Sequence, residues 1–183
     1  MNKLFQSNRI QLRSLSEDDA SSFSKWSEDG EYLRGLDTDF AKPRSTEFYK
    51  NQIQSFEDSS DIIQFGIYVP QDQLLIGFIS LHSIEWNNQI AFMAIGIGEA
   101  EYRKNGYGSE AIQLLLKYAF YELNLHKVEL DVISNNDTAI FCYRKNGFET
   151  EGVAKEAIRR DNQRFDKIYM GILARNWKET KPE

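Results

Sequence analysis

The stretch Gly96-Ile97-Gly98-Glu99-Ala100-Glu101-Tyr102-Arg103-Lys104-Asn105-Gly106-Tyr107-Gly108-Ser109-Glu110-Ala111 decides how this 183-residue chain is read. It joins a strand-like apolar segment to a segment of strong helical periodicity. Its glycines permit a tight turn and close approach of the backbone to a ligand. The first N–H groups of the following helix have no intrahelical acceptor and point into that turn. Together with the helix dipole they make an anion site suited to a diphosphate. The pattern Arg103-x-x-Gly106-x-Gly108 is not the three-glycine dinucleotide fingerprint. Nor is it a P-loop, because no Gly-Lys-Ser/Thr follows.

Downstream of the turn, Ile112, Leu115, Leu116, Ala119, Phe120 and Leu123 recur at helical spacing and form one apolar face. His126–Ile133 then alternates as a strand. Asp137–Lys145 reads as a short helix stopped by Asn146-Gly147. Phe148–Arg160 and Arg164–Ala174 form a closing hairpin around Asp161-Asn162-Gln163. Upstream, Ile62–Val69, Leu74–Trp86 and Gln89–Gly98 make an antiparallel meander broken by turn residues. Gly96 and Gly98, near its end, imply a bulge or a close backbone approach. Before the meander, Ile10–Leu15 reads as a strand. Ser16 and Asp19 cap a helix from about Glu17 to Ser27, and a second helix starts at Ser45 or Thr46. Asp29–Arg44 is expected to be a loop with room for a short helix.

The strand–helix–strand unit from 89 to 133 requires a parallel pair joined by a right-handed crossover. The expected fold class is therefore α/β (α+β): one domain spanning 1–183, with a mixed, mostly antiparallel sheet of about seven strands flanked by helices.

Composition sets the outer bounds. Hydrophobic residues make up 41% and charged residues 27%, an ordinary globular balance. No run approaches the ~18 apolar residues of a membrane span, and the first residues lack a signal-peptide core. The chain is accordingly expected to be cytoplasmic and without a membrane partner. A single cysteine, Cys142, excludes an internal disulfide and a cysteine-based metal cluster, and two histidines are too few for a histidine-rich metal site. The net charge of −6 speaks against a nucleic-acid partner and is compatible with a cationic one.

The glycine turn resembles the pyrophosphate loop of the GNAT N-acetyltransferases, in which Arg or Gln is followed by two residues, Gly, one residue, and Gly or Ala. Asn136-Asp137-Thr138-Ala139-Ile140-Phe141-Cys142-Tyr143-Arg144-Lys145-Asn146-Gly147-Phe148 is similar to that family's second signature. The opening Arg13–Ala20 and the tail Tyr169–Trp177 resemble the branch of ribosomal-protein N-terminal and spermidine acetyltransferases. Asn146 departs from the usual Leu or Cys, and Asn105 from a frequent Lys. Neither change removes a backbone donor.

The resemblance implies acetyl-CoA as donor and a sheet splayed between its fourth and fifth strands. Gly96-Ile97-Gly98 would hold the pantetheine arm. Arg103, Lys104, Asn105, Gly106, Tyr107, Gly108 and Ser109 would hold the pyrophosphate, and Asn136 would touch the cofactor or cap its helix. Tyr143 is the candidate general acid: a phenol with a reference pKa of ~10 stays protonated at neutral pH and can protonate a leaving thiolate. Its competing reading is a core tyrosine. Glu85, which interrupts the apolar end of its strand, is the candidate base or amine binder, against a solvated strand-end carboxylate. Cys142 reads as filler. His82 and His126 have no paired ligands. Trp26, Tyr32, Asp37 and Asp39 either line an acceptor pocket or serve ordinary packing and solvation.

The acceptor is a primary amine, either on a small molecule or at a protein N-terminus. A pocket closed by Asp29–Arg44 favours the first and an open groove the second. A non-catalytic acetyl-CoA sensor is the reading from a different class, and the closing hairpin is a candidate homodimer surface.

Overall fold

The computed structural model describes residues 4–179. Its centre is a seven-stranded sheet: β1 (Gln11–Arg13), β2 (Ile63–Val69), β3 (Leu74–Glu85), β4 (Ile90–Ile97), β5 (Lys127–Ile133), β6 (Glu149–Arg160) and β7 (Gln163–Leu173). The spatial order is β1-β2-β3-β4-β5-β7-β6. Every neighbouring pair is antiparallel except β4–β5. That parallel pair is the one the strand–helix–strand spacing requires, and its crossover is α4 (Tyr107–Lys117).

The other helices are α1 (Ala20–Trp26), α2 (Gly30–Leu36), α3 (Thr46–Glu57) and α5 (Asp137–Lys145). α2 lies where the sequence suggested a loop with room for a short helix. Asp29 starts it, accepting hydrogen bonds from the N–H groups of Glu31 (3.0 Å) and Tyr32 (3.1 Å). Asp19 accepts from Ser16 N–H at 2.8 Å, as the Ser16/Asp19 spacing predicted. The final hairpin turns through Asp161 (φ 48°) and Asn162 (φ 60°), a pair of left-handed residues that matches strand twist.

The sheet alternates between two cores. Ile79 and Leu81 of β3 share one apolar cluster with Ile112, Leu115 and Leu116 of α4. Phe78 faces the other way and joins Phe23 and Trp26 of α1. Helices thus cover both faces, and a ligand reaching the middle of the sheet must enter where two strands part.

Candidate active site

The strands part between β4 and β5. Their ladder runs only through Ile90↔Lys127, Ala91↔Val128 and Phe92↔Glu129. Beyond it, β4 stays paired with β3 as far as Ile97, and β5 stays paired with β7 as far as Ile133. Gly98 donates its N–H to Ile76 O, on the β3 side, at 2.8 Å. Successive residues of a strand alternate edges, so Ile95 and Ile97 turn their main-chain groups toward the gap. Ile97 O there accepts Arg103 Nε at 2.8 Å. A cavity of about 860 Å³ opens from this gap, lined by Ile95, Gly96, Ile97, Gly108, Ser109 and Tyr143 among others.

The glycine turn forms one end of that cavity. Lys104 (φ 61°) and Gly106 (φ 85°) are left-handed, which swings the chain sharply into α4. Gly106 caps α4, which has no side-chain cap. The helix's first backbone bond runs from Glu110 N to Gly106 O, so the amides of Tyr107, Gly108 and Ser109 precede the ladder. A Cβ placed on Gly108 would meet only Ile95 and Ile97, at 3.8 and 3.9 Å, so the wall of the cavity is open at that point.

Side chains brace the turn from outside. The Arg103 guanidinium bonds Ile97 O (2.8 Å), Gly98 O (2.7 Å) and the Asp29 carboxylate (2.8 Å). It therefore ties the turn to the end of β4 and to the cap of α2. Arg9 donates to Asn105 O at 3.0 Å, pairs with Glu110 at 2.7 Å and lies over the Tyr107 ring. Tyr102 O–H donates to Asp72 at 2.7 Å, and that bond is the main reason its phenol is pushed up to about 12.

α5 forms the opposite wall. Asn136 caps it, accepting Ala139 N–H at 3.2 Å, and also lines the cavity. Tyr143 reaches the cavity from the same helix, its ring against Phe148 (centroids 6.0 Å apart). Burial pushes its phenol well above the ordinary value, aided by the nearby Cys142 and Asp131. It is therefore a protonated donor throughout the neutral range. Asn146, buried at the end of α5, exchanges hydrogen bonds with Ser109, accepts from Gln113 at 2.8 Å and donates to Cys142 O at 2.8 Å. The two cofactor-facing helices are locked to each other through this one side chain.

The cavity gathers Gly96, Ile97, Arg103, Lys104, Gly106, Gly108, Ser109, Asn136 and Tyr143. It does not gather all the expected residues. Trp26 covers Gly98: a Cβ there would lie 2.0 Å from the indole, so this glycine serves packing. Asn105 and Tyr107 lie outside the lining, although the Tyr107 amide heads the helix. Glu85 also lies outside the lining. It pairs with Ile90 at the start of β4, while the cavity meets that strand at Ile95–Ile97. Exposed in its turn, it accepts Asn88 Nδ2 at 2.5 Å.

A second cavity of about 510 Å³ lies on the α1–α3 face; Trp26, Tyr32, Asp37 and Asp39, which the sequence placed either at an acceptor pocket or in ordinary packing, line it together with Tyr49, Asp61 and His82, which the sequence did not point to. Tyr32 and Leu36 line both cavities and stand between them. The signal for His82 was its place in strand alternation, on the same side as Phe78 and Ser80. A search for paired metal ligands passes over it.

A bent channel with amide donors at one end, main-chain groups along one wall and a protonated phenol opposite fits a long thioester cofactor bearing a diphosphate. This defines an acyl-transfer site. Residues 9–149 match the family model described as the acetyltransferase (GNAT) domain. The chain is 32% identical over 133 residues to the probable N-acetyltransferase YjcK of Bacillus subtilis (strain 168), covering 72% of this chain and 70% of that one. It is 29% identical to the spermidine N(1)-acetyltransferase of Escherichia coli (strain K12), covering 68% and 70%. The crystal structure of a probable acetyltransferase superposes with a TM-score of 0.82 at 26% identity, over 96% of this chain and 98% of that one. The spermidine N-acetyltransferase from Vibrio cholerae in complex with CoA and spermine shares the fold at a TM-score of 0.84 and 24% identity, over 93% and 98%.

The chain belongs to the GNAT acetyltransferase family. It is an acetyl-CoA-dependent N-acetyltransferase acting on an amine. No helix among the described residues is long and apolar enough to cross a membrane.

Proposed function

We propose that the enzyme acetylates a small cationic amine that enters through the second cavity. The anchored Asp37–Arg44 segment carries this reading. Arg160 bonds the carbonyls of Asp37 and Asp39, both at 2.9 Å, and Ser24 bonds Arg44 O at 2.9 Å. The segment thus borders a half-open cavity of about 510 Å³, within the ordinary range for a small ligand, which supports a small acceptor over a peptide. Asp37, Asp39 and Asp61 put carboxylates in its lining.

The donor supplies an acetyl carbon activated by a thiolate leaving group. The amides of Tyr107, Gly108 and Ser109 hold the diphosphate, and the dipole of α4 adds to their pull. The gap-facing amides of Ile95 and Ile97 bind the pantetheine arm and polarise the acetyl oxygen as charge grows on it. Asn136 sets the first turn of α5 against the arm. Tyr143 gives its proton to the departing sulfur. Arg103 orients the turn without touching the phosphates, since its guanidinium is committed to Ile97, Gly98 and Asp29. Val153, exposed on the edge strand β6, supports a homodimer through that edge.

Thiol release from acetyl-CoA, measured against polyamines, amino sugars and N-terminal peptides, tests the assignment. Turnover confined to small polycationic amines is expected. Turnover confined to peptides overturns it.

A further inference from the structure

An alkyl ammonium, with a reference pKa of ~10.4, must lose a proton before it can attack, and Glu85 lines neither cavity. The carboxylates of Asp37, Asp39 and Asp61 in the second cavity are weak bases suited to holding an ammonium, not to taking its proton. The phenols of Tyr32, Tyr49 and Tyr143 and the Cys142 thiol are all raised by burial and stay protonated. We infer that His82, in the lining of the second cavity, is the proton acceptor for the incoming amine. This inference rests on the small-amine reading above.

Position supports it. His82 pairs with Phe92 and stacks on that ring at 5.9 Å. Phe92 is the last residue of β4 still paired with β5, so the imidazole stands beside the point where the sheet opens. Its Nδ1 lies 3.1 Å from Ser83 Oγ. In the tautomer that donates from Nδ1, Nε2 keeps its lone pair and is the ring nitrogen left for a ligand. Only the side chains of Tyr32 and Leu36, which line both cavities, are shared between this floor and the Tyr143 cavity.

Charge around the ring divides the labour. Asp61 faces it from the entry to β2, Asp37 from the end of α2, and Asp131 from β5. Asp131 is shared with Lys167 at 3.5 Å, and Glu129, across from Phe92, is held by Lys127 at 2.6 Å. Asp39, Lys42 and Arg44 contribute from the bordering segment. The carboxylates favour an ammonium in the pocket. Burial is the largest influence on His82 and keeps its pKa below the ordinary imidazole value, against the pull of those carboxylates. The ring is therefore neutral at neutral pH and free to take a proton.

The protons balance. The ammonium gives up two on its way to an amide. His82 takes the first and passes it to water. The nitrogen lone pair forms the N–C bond, the C–S bond breaks, and Tyr143 protonates the sulfur. The second nitrogen proton replaces the one Tyr143 gave.

The test compares wild type with His82→Gln, using the most active amine of the thiol-release panel. The wild-type rate at limiting amine should rise with pH through a step below ~6.5 and then level off. His82→Gln should lose that step, fall about a hundredfold or more at pH 7 and recover steadily toward alkaline pH, with acetyl-CoA affinity unchanged by calorimetry. An unchanged profile and rate in a folded variant overturns the inference while leaving the acetyl-transfer reading intact. If no amine is turned over by wild type, that reading fails instead. Proton NMR of the wild-type imidazoles, assigned with His126→Asn, decides His82 independently of turnover and of the variant's folding. The His82 ring should titrate below ~6.5, and lower still with 1,4-diaminobutane present. A titration at or above that value, untouched by the diamine, refutes the role.

Discussion

Gln113 Nε2 of α4 donates to Asn146 Oδ1 at the end of α5 at 2.8 Å, with Asn146 buried and Gln113 half-buried. Asn146→Leu fills the same space with carbon and strands the Gln113 and Ser109 partners. Leaving such groups unpaired costs about 1–3 kcal/mol. The variant should lose that much stability in urea unfolding. The double variant Asn146→Leu, Gln113→Leu should regain most of it, because replacing both partners by apolar groups is close to neutral. A double variant weaker than the single one contradicts the pairing.

Tyr143 is a protonated phenol in the cavity wall. Tyr143→Phe keeps the ring against Phe148 and removes only the proton donor. Turnover is expected to fall about a hundredfold, with the acetyl-CoA dissociation constant unchanged. Steady-state kinetics beside calorimetry separates these effects. Equal turnover removes Tyr143 from the acid role.

Arg103 makes three bonds in a planar fork, which an ammonium cannot reproduce. Arg103→Lys keeps the positive charge. A roughly tenfold loss of acetyl-CoA affinity in that variant marks a brace, since a phosphate ligand would tolerate the exchange better. Affinity as in wild type argues against the brace.

Asp19 carries an acid-sensitive share of the stability. Burial alone would raise its pKa, but the bonds from Arg13 (2.7 Å) and Ser16 outweigh burial and hold it below the ordinary value. A depressed carboxylate stabilises the fold fully above its unfolded pKa of ~3.9, and the contribution fades as pH falls through the lower folded value. Urea unfolding should show wild type more stable than Asp19→Asn at pH 7, with the gap closing below about pH 4. A gap independent of pH counts against this account.

The sheet, its parallel pair and α4 are legible in sequence because each rests on local periodicity or on a connection rule. α5 also reads directly, from Asn136 at its cap to Asn146-Gly147 at its stop. α2 was only half visible. Its stabilising bonds begin at Asp29, but its apolar contacts, Tyr32 and Leu36, are too few to show a period. The glycine turn could be read as an anion site, since backbone chemistry follows from glycine spacing. What Arg103 does could not, because its partners lie 5, 6 and 74 residues away. Gly98 looked like a ligand contact, and Trp26 takes that space. His82 lines the second cavity and Glu85 lies outside both linings. The strand is irregular between them, with Ser83 left-handed (φ 50°), so simple alternation read from the sequence does not carry from one to the other.

The grip of the α4 N-terminus on a diphosphate is tested most directly by calorimetry of CoA binding to Gly108→Asp. A Cβ fits at position 108, and an acidic residue in the first turn of a helix is favourable to folding. The added carboxylate stands where the diphosphate is to bind, and like charges at ~4 Å repel by about 4 kcal/mol in a partly shielded site. A folded variant of undiminished melting temperature, binding CoA at least about a hundredfold more weakly, is the predicted result. The same folded variant binding CoA as tightly as wild type would contradict the account.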